Sequence, residues 1–417
     1  MNIQNIHARE ILDSKGHPTV EVDLTLENGM TATASVPSGA STGSTEAVEL
    51  RDGDKDRYFG KGVLHAVENV NTELKKIVVG QDVTNQRNID NLMIAADGTE
   101  NKGRLGGNAI VAVSMAAARA AAMSQNIPLY KYLGSLIGNT TFVMPRPQLL
   151  ILEGGKHGNW STDIQEYLIM PNADKFPTFK ERLRVGAEIF HTLEQVLADK
   201  GYSTGVGFEG AFCPKEMKSN EEGFQLMIEA TEKAGYTMVD EIVLGIDGAA
   251  SEYFDNGTYT LKSEGGTKLT SREWSERLIG WTKKYPLWSL EDIYDEEDWT
   301  EWTYLTSQIG TDHQIIGDDL LTTNVKRIQK AIDLKSVNSV LIKVNQIGTV
   351  SETLDAITLA HKAGYTTVVS HRGGETNDDF IADLVVGTSK QSKFGGPDRG
   401  ERLAKYNRLL RIEEELQ

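Results

Sequence analysis

Alternating apolar and polar residues mark the first part of the chain. Between positions 19 and 36 nearly every second residue is apolar, and acidic or hydroxyl side chains lie between them. The apolar positions before the midpoint of this run are Val20, Val22, Leu24 and Leu26. A period of two that is broken by Asn28-Gly29 predicts a β-hairpin with one buried and one solvated face. Helical spacing follows, including an alanine-rich stretch from about Asn108, so we predict a small α+β domain over residues 1–134.

Continuous apolar runs replace this alternation over residues 142–417. The clearest runs are EIVLGID, PLWSLED, HQIIGDD, SVLIKVN and TTVVSH. Such runs predict strands that are covered on both faces, which is typical of a parallel sheet. The runs end at Asp247, Glu291, Asp318, Lys343 and His371. The last four of these positions are 25 to 28 residues apart, about the length of one strand and one returning helix. The interval predicts a (β/α) barrel.

An open, doubly wound sheet is the alternative architecture for this part of the chain. Such a sheet usually carries a glycine-rich phosphate turn after its first strand, and the sequence has no evident turn of that kind. The stretch VSETLDAITLAHKAG has helical spacing and closes with Gly364, a suitable residue for the end of a returning helix.

Ionisable residues stand at the predicted strand ends, where a barrel places its active site. Asp247, Glu291 and Asp318 would repel one another strongly if they met without a cation. A hard divalent cation resolves this repulsion, and oxygen ligands favour Mg²⁺ or Mn²⁺ over zinc. The alternative is that some of these carboxylates form ion pairs or cap the following helices.

Lys343 is the candidate base at this mouth. A lysine must lose its proton before it can accept one, and nearby positive charge lowers the pKa of its ammonium group. The same cation would stabilise an enolate that forms when Lys343 removes a proton beside a carboxylate. The alternative for Lys343 is an ion pair with Asp318.

Several glycine-rich loops add candidates for binding and proton transfer. In SHRGGET, Arg372 can bind a phosphate bidentately, although a flexible turn with a solvated arginine is an equal alternative. Glu209 in GVGFEGAFCP is a candidate general acid, and GGKHGNW contains His157. The segment PSGASTGS, which starts at Pro37, suits a lid over a substrate or a simple linker.

Composition narrows the classes of partner. The net charge of −17 disfavours nucleic acid and anionic membrane surfaces, although it allows a local site for a small anion. The most apolar helical stretch is interrupted by Arg119 and is too short to span a bilayer, so we expect no membrane insertion. A single cysteine, Cys213, and an N-terminus without an apolar signal core fit a cytoplasmic protein.

Many longer motifs, in order along almost the whole chain, resemble those of the enolase family. They include AREILDSKGHPTVEV, VPSGASTG, DIQEYLIMP, GIDGAASEY, SLEDIYDEEDW, GDDLLTTN, IKVNQIGT and SHRGGETND. The resemblance implies an N-terminal α+β domain followed by a modified (β/α)8 TIM-type barrel whose early strands depart from the strict repeat. It also implies reversible dehydration of 2-phospho-D-glycerate, a small phosphorylated three-carbon acid, to phosphoenolpyruvate by stepwise elimination through an enediolate.

The resemblance assigns the metal and proton-transfer residues by position. Asp247, Glu291 and Asp318 match the ligands of a first Mg²⁺. Ser41 matches a residue that helps to hold a second Mg²⁺ when the lid closes. Lys343 matches the base at carbon 2, and Glu209 matches the acid that helps to expel the hydroxyl group on carbon 3.

The remaining matched positions would bind the substrate. Lys393 matches a lysine that stabilises the charged intermediate, and Arg372 matches the phosphate clamp. Gly373 follows that clamp and offers its backbone N–H group. The other positions that match pocket or substrate-contacting residues are His157, Gln165, Glu166 and His371. Members of the family are usually homodimers or larger rings of dimers, and some occur on cell surfaces without a signal peptide.

This chain departs from the family pattern close to the predicted site. Gly373 replaces a serine, and Phe208 replaces an aspartate before the predicted acid. Ala211 replaces a glycine, and Glu153 replaces the asparagine before the paired glycines of the histidine loop. These changes leave two alternatives open: a paralogue that acts on a related phosphonate or acid, and a surface-binding protein on an enolase scaffold.

Overall fold

A three-stranded antiparallel sheet opens the chain in the computed structural model, which describes residues 1–40 and 43–417. Its strands are β1 (Ile3–Leu12), β2 (Pro18–Leu26) and β3 (Thr31–Ser35). The predicted hairpin is confirmed: β2 pairs with β3 with Leu24 opposite Ala32, and the turn contains Gly29 at φ 87°. The alternating apolar side chains of β2 are fully buried, as their period of two requires.

Helices cover the buried face of this sheet. They are α1 (Leu64–Asn69), α2 (Lys75–Val78), α3 (Gln86–Asp97), α4 (Gly107–Ser124) and α5 (Leu129–Leu136). A five-residue π-helical segment, Val70–Leu74, joins α1 to α2, and a short 3₁₀ turn covers Tyr58–Gly60. The alanine-rich helix α4 is almost wholly buried against β2 and β3, which confirms the predicted α+β fold of this part.

Eight strands close into a barrel in the rest of the chain. The strands of this part, in chain order, are β4 (Arg146–Glu153), β5 (Glu166–Pro171), β6 (Ile242–Asp247), β7 (Phe254–Asp255), β8 (Thr258–Leu261), β9 (Thr267–Thr270), β10 (Leu287–Glu291), β11 (Gln314–Gly317), β12 (Ser339–Ile342), β13 (Thr366–Ser370) and β14 (Gln391–Lys393). Strands β7 to β9 form a small separate sheet, and the other eight form the barrel. The open, doubly wound alternative is therefore wrong.

One strand departs from a purely parallel barrel. β5 runs antiparallel to both of its neighbours, β4 and β6, whereas the other neighbouring pairs are parallel. The apolar runs alone predicted a parallel sheet, and the resemblance predicted that the early strands would differ. The antiparallel strand confirms the second expectation.

Helices surround the barrel. They are α6 (Phe179–Asp199), α7 (Asn220–Lys233), α8 (Ser271–Lys284), α9 (Trp299–Ile309), α10 (Val325–Leu334), α11 (Val344–Ile347), α12 (Val350–Lys362), α13 (Phe380–Thr388) and α14 (Gly400–Leu416). Short 3₁₀ turns cover Ala250–Tyr253 and Lys262–Glu264. In the described ranges 1–40 and 43–417, no helix combines the length and the apolar character needed to cross a membrane.

Ion pairs attach the first domain to the barrel. Arg87 of α3 binds Asp355 of α12 through two contacts of 2.6 and 2.7 Å, and Arg119 of α4 binds Asp378 at 2.7 Å. Nearer the barrel mouth, the backbone of Ser38 exchanges two hydrogen bonds with that of Gly374. The first described residues of the predicted lid, 37–40, therefore lie at the barrel mouth, where Ala40 lines a cavity.

Candidate active site

The barrel brings the predicted acidic residues to one mouth. Asp247 ends β6 and lies in register with Glu291, which ends β10. Glu166 begins β5 and is also in register with Asp247. Because β5 is antiparallel, its first residue reaches the same rim as the last residues of the parallel strands. Lys393 ends β14 and completes this group.

Lys393 is the centre of a buried ion-pair network. Its Nζ lies 2.8 Å from Oδ2 of Asp247, 2.7 Å from Oε1 of Glu291 and 3.0 Å from Oε2 of Glu166. Burial by itself would lower the pKa of this lysine, but the surrounding carboxylates raise it well above its ordinary value. Lys393 is therefore a fixed positive charge in the site.

Lys343 forms an ion pair with Asp318, which is the alternative that the sequence left open for this lysine. Burial and the nearby cations lower the pKa of Lys343, but Asp318 outweighs them and the pKa rises to about 12. Gln346 donates to the other oxygen of Asp318 at 2.7 Å. In this state Lys343 is charged, and it must give up a proton before it can act as a base.

The predicted first-metal ligands fit a hard cation by their donor atoms. All three are buried carboxylates, and Oε2 of Glu291 has no hydrogen-bond partner among the described residues. Burial raises the pKa of Glu291 well above its usual range, and although Lys393 acts in the opposite direction, the charges of Asp247 and Asp318 add to the effect of burial. A dication relieves this repulsion, so the all-oxygen set suits Mg²⁺. Here Lys393 lies between Asp247 and Glu291.

Asp292 and Asp319 were not predicted as site residues. With Asp318 they form a group whose carboxylate oxygens lie within 4.8 Å of one another. Asp292 has φ 45° and accepts hydrogen bonds from the backbone N–H groups of Asp318 and Asp319, both at 2.9 Å. The paired acids of SLEDI and GDDLL were the signal that could have revealed them.

Glu209 lies between two histidines. Its carboxylate oxygens lie 3.4 Å from Nε2 of His371 and 3.7 Å from Nδ1 of His157. Although burial acts in the opposite direction, the histidines and Arg402 hold the pKa of Glu209 well below its usual range. Neither ring nitrogen of His157 has a hydrogen-bond partner within residues 1–40 and 43–417, so both can meet a ligand.

Arg402 sets the tautomer of His371. Nη1 of Arg402 donates to Nδ1 of His371 at 2.6 Å, because a guanidinium group can only donate. Burial lowers the pKa of His371 to about 3, so the ring is neutral and carries its proton on Nε2, facing Glu209. Arg402 was not predicted, and its place in helix α14 gives no local signal for this contact.

Arg372 binds a residue of the first domain. Its guanidinium group contacts Glu46 at 2.9 and 3.2 Å and Asn345 at 3.2 Å. Glu46 was not predicted as a site residue, and its carboxylate binds both terminal nitrogens of the Arg372 guanidinium group. A Cβ added at Gly373 would lie 2.7 Å from Cβ of Ala40, so glycine lets the lid approach closely.

Most of the predicted residues line a single cavity. They are His157, Gln165, Glu166, Glu209, Asp247, Asp318, Lys343, His371, Arg372, Gly373 and Lys393. Glu291 does not line this cavity and reaches it through its ion pair with Lys393. Ser41 falls outside the described residues, so its predicted metal contact stays a prediction.

Carboxylates and two lysines lie at the mouth of the barrel, and the α+β domain contacts that mouth. This arrangement defines a class of two-domain barrel enzymes. Residues 3–133 match the enolase N-terminal domain, and residues 141–417 match the enolase C-terminal TIM barrel domain. The chain therefore belongs to the enolase family and is an enzyme of the lyase type.

Proposed function

We propose that the protein interconverts 2-phospho-D-glycerate and phosphoenolpyruvate in the presence of Mg²⁺. The observation that carries this proposal is the placement of Lys343, Lys393 and Glu209 around the same cavity as Arg372. Elimination of water from such a substrate needs a base at carbon 2, an acid at carbon 3 and positive charge for the carboxylate and the phosphate. The cavity offers each of these groups.

Lys343 is the base that would remove the proton at carbon 2. In the absence of substrate it is held as an ammonium ion by Asp318. Mg²⁺ bound by Asp247, Glu291 and Asp318 would supply positive charge that offsets these carboxylates and stabilises negative charge on the substrate carboxylate. Lys393 retains its proton and adds a fixed positive charge to the same cavity.

Glu209 would handle the proton at the carbon 3 hydroxyl group. In the hydration direction, the ionised carboxylate can accept a proton from the attacking water. In the dehydration direction, the same group must arrive protonated and give that proton to the leaving hydroxyl. The neutral His371 presents its Nε2–H group to Oε2 of Glu209 at a distance of 3.4 Å, beside the carboxyl group that would exchange this proton.

Arg372 would bind the phosphate group. Its planar guanidinium group matches two phosphate oxygens, which is the geometry that Glu46 now satisfies. A phosphate that bound Arg372 through Nη1 and Nη2 would take the place of the Glu46 carboxylate. Since Glu46 follows the lid in the sequence, this exchange connects phosphate binding to the position of the lid.

The first prediction concerns Lys343. Purified protein with Mg²⁺ should form phosphoenolpyruvate from 2-phospho-D-glycerate, followed by its absorbance. Lys343→Ala should lower kcat by about 10²- to 10⁴-fold, the usual contribution of a positioned base. Lys326, whose side chain is 78% exposed, offers the matched control, and Lys326→Ala should keep full activity. A parent without activity, or equal activity in all three proteins, contradicts the proposal.

A second candidate is a paralogue that acts on a related phosphonate or acid. Phe208 favours this possibility, because an apolar ring that is 43% exposed lies 6.1 Å from the ring of His157, where the family carries an aspartate. Comparison of kcat/KM for 2-phospho-D-glycerate and for its phosphonate analogues separates the two candidates. Efficient turnover of 2-phospho-D-glycerate rejects the second one.

A further inference from the structure

Glu153 occupies an unusual position for an acidic residue. It ends β4, is fully buried and lies in register with Glu166 of β5. Its carboxyl group makes no contact with a cation in the described part of the chain. The sequence marks it as a departure from the family pattern, and the proposed reaction gives it no direct part.

The carboxyl group of Glu153 holds the loop that carries Glu209. Oε1 accepts hydrogen bonds from the backbone N–H groups of Glu209 and Ala211, both at 3.0 Å. The backbone N–H group of Glu153 donates to the carbonyl oxygen of Phe212 at 2.8 Å. A Cβ added at Gly207 would lie 2.2 Å from Oε2 of Glu153, so the loop fits closely around the carboxyl group.

Other contacts hold the carbonyl groups of this loop before Glu209: Arg402 donates to the carbonyl oxygen of Phe208 at 3.0 Å, and Arg399 donates to that of Gly207 at 3.1 Å. The connection between α6 and α7, residues 200–219, forms no helix and no regular strand, only isolated bridges at Val206 and Phe212. The carbonyl oxygen of Glu209 accepts a hydrogen bond from Gly396 at 2.8 Å. The N–H side of the same residue is held by Glu153 alone among the described residues. These two contacts are the hydrogen bonds that the Glu209 backbone makes with described residues, and Glu153 supplies the one on the N–H side.

Two neighbouring carboxyl groups can coexist here because they differ in charge. Burial first, and the charge of Glu209 second, raise the pKa of Glu153 to about 8. A neutral carboxylic acid near neutral pH can accept two N–H bonds without repelling the ionised Glu209. The asparagine of the family pattern is neutral as well, but its side chain is shorter by one methylene group.

We propose that Glu153 is a positioning residue, which holds Glu209 in place through the backbone N–H groups of Glu209 and Ala211. The proposal rests on the proposed function in one respect, namely that Glu209 handles a proton of the reaction. Its geometric part stands independently of the substrate.

The test compares three substitutions at position 153 with a control elsewhere. Glu153→Ala removes the acceptor, Glu153→Asp withdraws it by one methylene group, and Glu153→Gln keeps a carbonyl oxygen at the same reach. The control is Glu413→Ala, because Glu413 also accepts two backbone N–H bonds, from Phe179 at 2.5 Å and Lys180 at 3.0 Å, far from the cavity.

The measurements are kcat, KM and amide hydrogen exchange of residues 207–211 in the full-length protein. We expect Glu153→Ala and Glu153→Asp to lower kcat by about 10- to 100-fold with KM little changed, as a misplaced acid would. The amides of Glu209 and Ala211 should exchange at least about tenfold faster in both variants. Glu153→Gln should stay within about threefold of the parent, and Glu413→Ala should keep its kcat even if its melting temperature falls.

The inference would be overturned if the amides of Glu209 and Ala211 exchanged at the same rate in Glu153→Asp as in the parent. It would also be overturned if these amides exchanged faster while kcat stayed at the parent value. If Glu153→Ala does not fold, the Asp and Gln variants give the same contrast. If the parent does not turn over 2-phospho-D-glycerate, the proposed function fails, while amide exchange still decides whether Glu153 holds the loop.

Discussion

Burial and ion pairing act in opposite directions on the charged residues of the cavity. For Lys393, three carboxylates within 3.0 Å outweigh burial, and the lysine stays charged. For His371, the effect of burial on the pKa outweighs that of the neighbouring Glu209. Arg402, which donates to Nδ1, also disfavours a charged ring, so His371 is neutral. The protonation state of each group thus depends on which partner the fold places beside it.

Glu153 gives a prediction about pH. An acid whose pKa is raised on folding from about 4.5 to about 8 holds its proton more tightly in the native state, so the free energy of unfolding falls as pH rises between these values. Since glutamine does not titrate, the advantage of Glu153→Gln over the parent should grow by about 2 to 3 kcal/mol between pH 6 and pH 9. Denaturant unfolding at several pH values measures this difference. Parallel pH curves for the two proteins would contradict it.

Single residues were predictable where a strand end marked them. Lys343, Asp247 and Glu291 follow apolar runs, so their shared mouth could be read from local pattern and barrel geometry. Glu46 was missed because its partner, Arg372, lies 326 positions away in the sequence. No local pattern connects residues at that separation.

Helix α12 ends with hydrogen bonds that require a left-handed residue. Gly364 has φ 81°, its N–H group donates to His361 at 3.0 Å, and the N–H group of Tyr365 donates to Ala360 at 3.0 Å. These two bonds satisfy the last carbonyl groups of the helix, as glycine allows at this position. The predicted helix end is confirmed, because the signal for it was local.

Two glycine substitutions test the role of backbone conformation. Gly364→Ala should destabilise the protein by about 1 kcal/mol, since the positive φ disfavours a Cβ even though none of its neighbours lies within 4 Å. Gly280→Ala is the matched control, because Gly280 lies within α8, is exposed and also has open space around it. It should stabilise the helix by about 0.5 to 1 kcal/mol. Shifts of the melting temperature in the same direction would contradict this account.

The reversed direction of β5 had no local signal in its residues. EYLIMP is as continuously apolar as the parallel strands, and all six of its residues are buried. Its direction follows from the connection across the mouth between β4 and β5, which returns the chain without a helix. The resemblance predicted the departure, whereas hydrophobic pattern could not.

At the level of the whole molecule, the first domain completes the site. The pairs Arg87–Asp355 and Arg119–Asp378 attach it to the barrel, and the Ser38–Gly374 bridge brings the described start of the predicted lid to the barrel mouth. Glu46 then reaches Arg372. The first domain therefore contacts a residue that lines the cavity.

Mg²⁺ should stabilise the folded protein as a whole. A cation that binds only the native state adds about 2.7 kcal/mol when its concentration is 100 times Kd. We expect Mg²⁺ to raise the melting temperature of the parent and to raise that of Glu291→Gln much less. Glu276, an exposed acid on α8, provides the control, and Glu276→Gln should respond like the parent. An equal response in all three proteins, or none in the parent, would contradict binding by the predicted carboxylates.

Local order along the chain was enough to predict the hairpin, five of the eight barrel strands and the chemical groups at the ends of those five strands. Periodicity and the residue types at strand ends depend on neighbours within a few positions, so both can be recognised from the sequence alone. Contacts between distant segments cannot be recognised in this way, because only the tertiary structure brings those segments together. They include the ion pair of Glu46 with Arg372, the hydrogen bond from Arg402 to His371 and the hydrogen bond from the Glu209 backbone to Glu153. Those long-range contacts determine which groups are charged, and hence what the site can do.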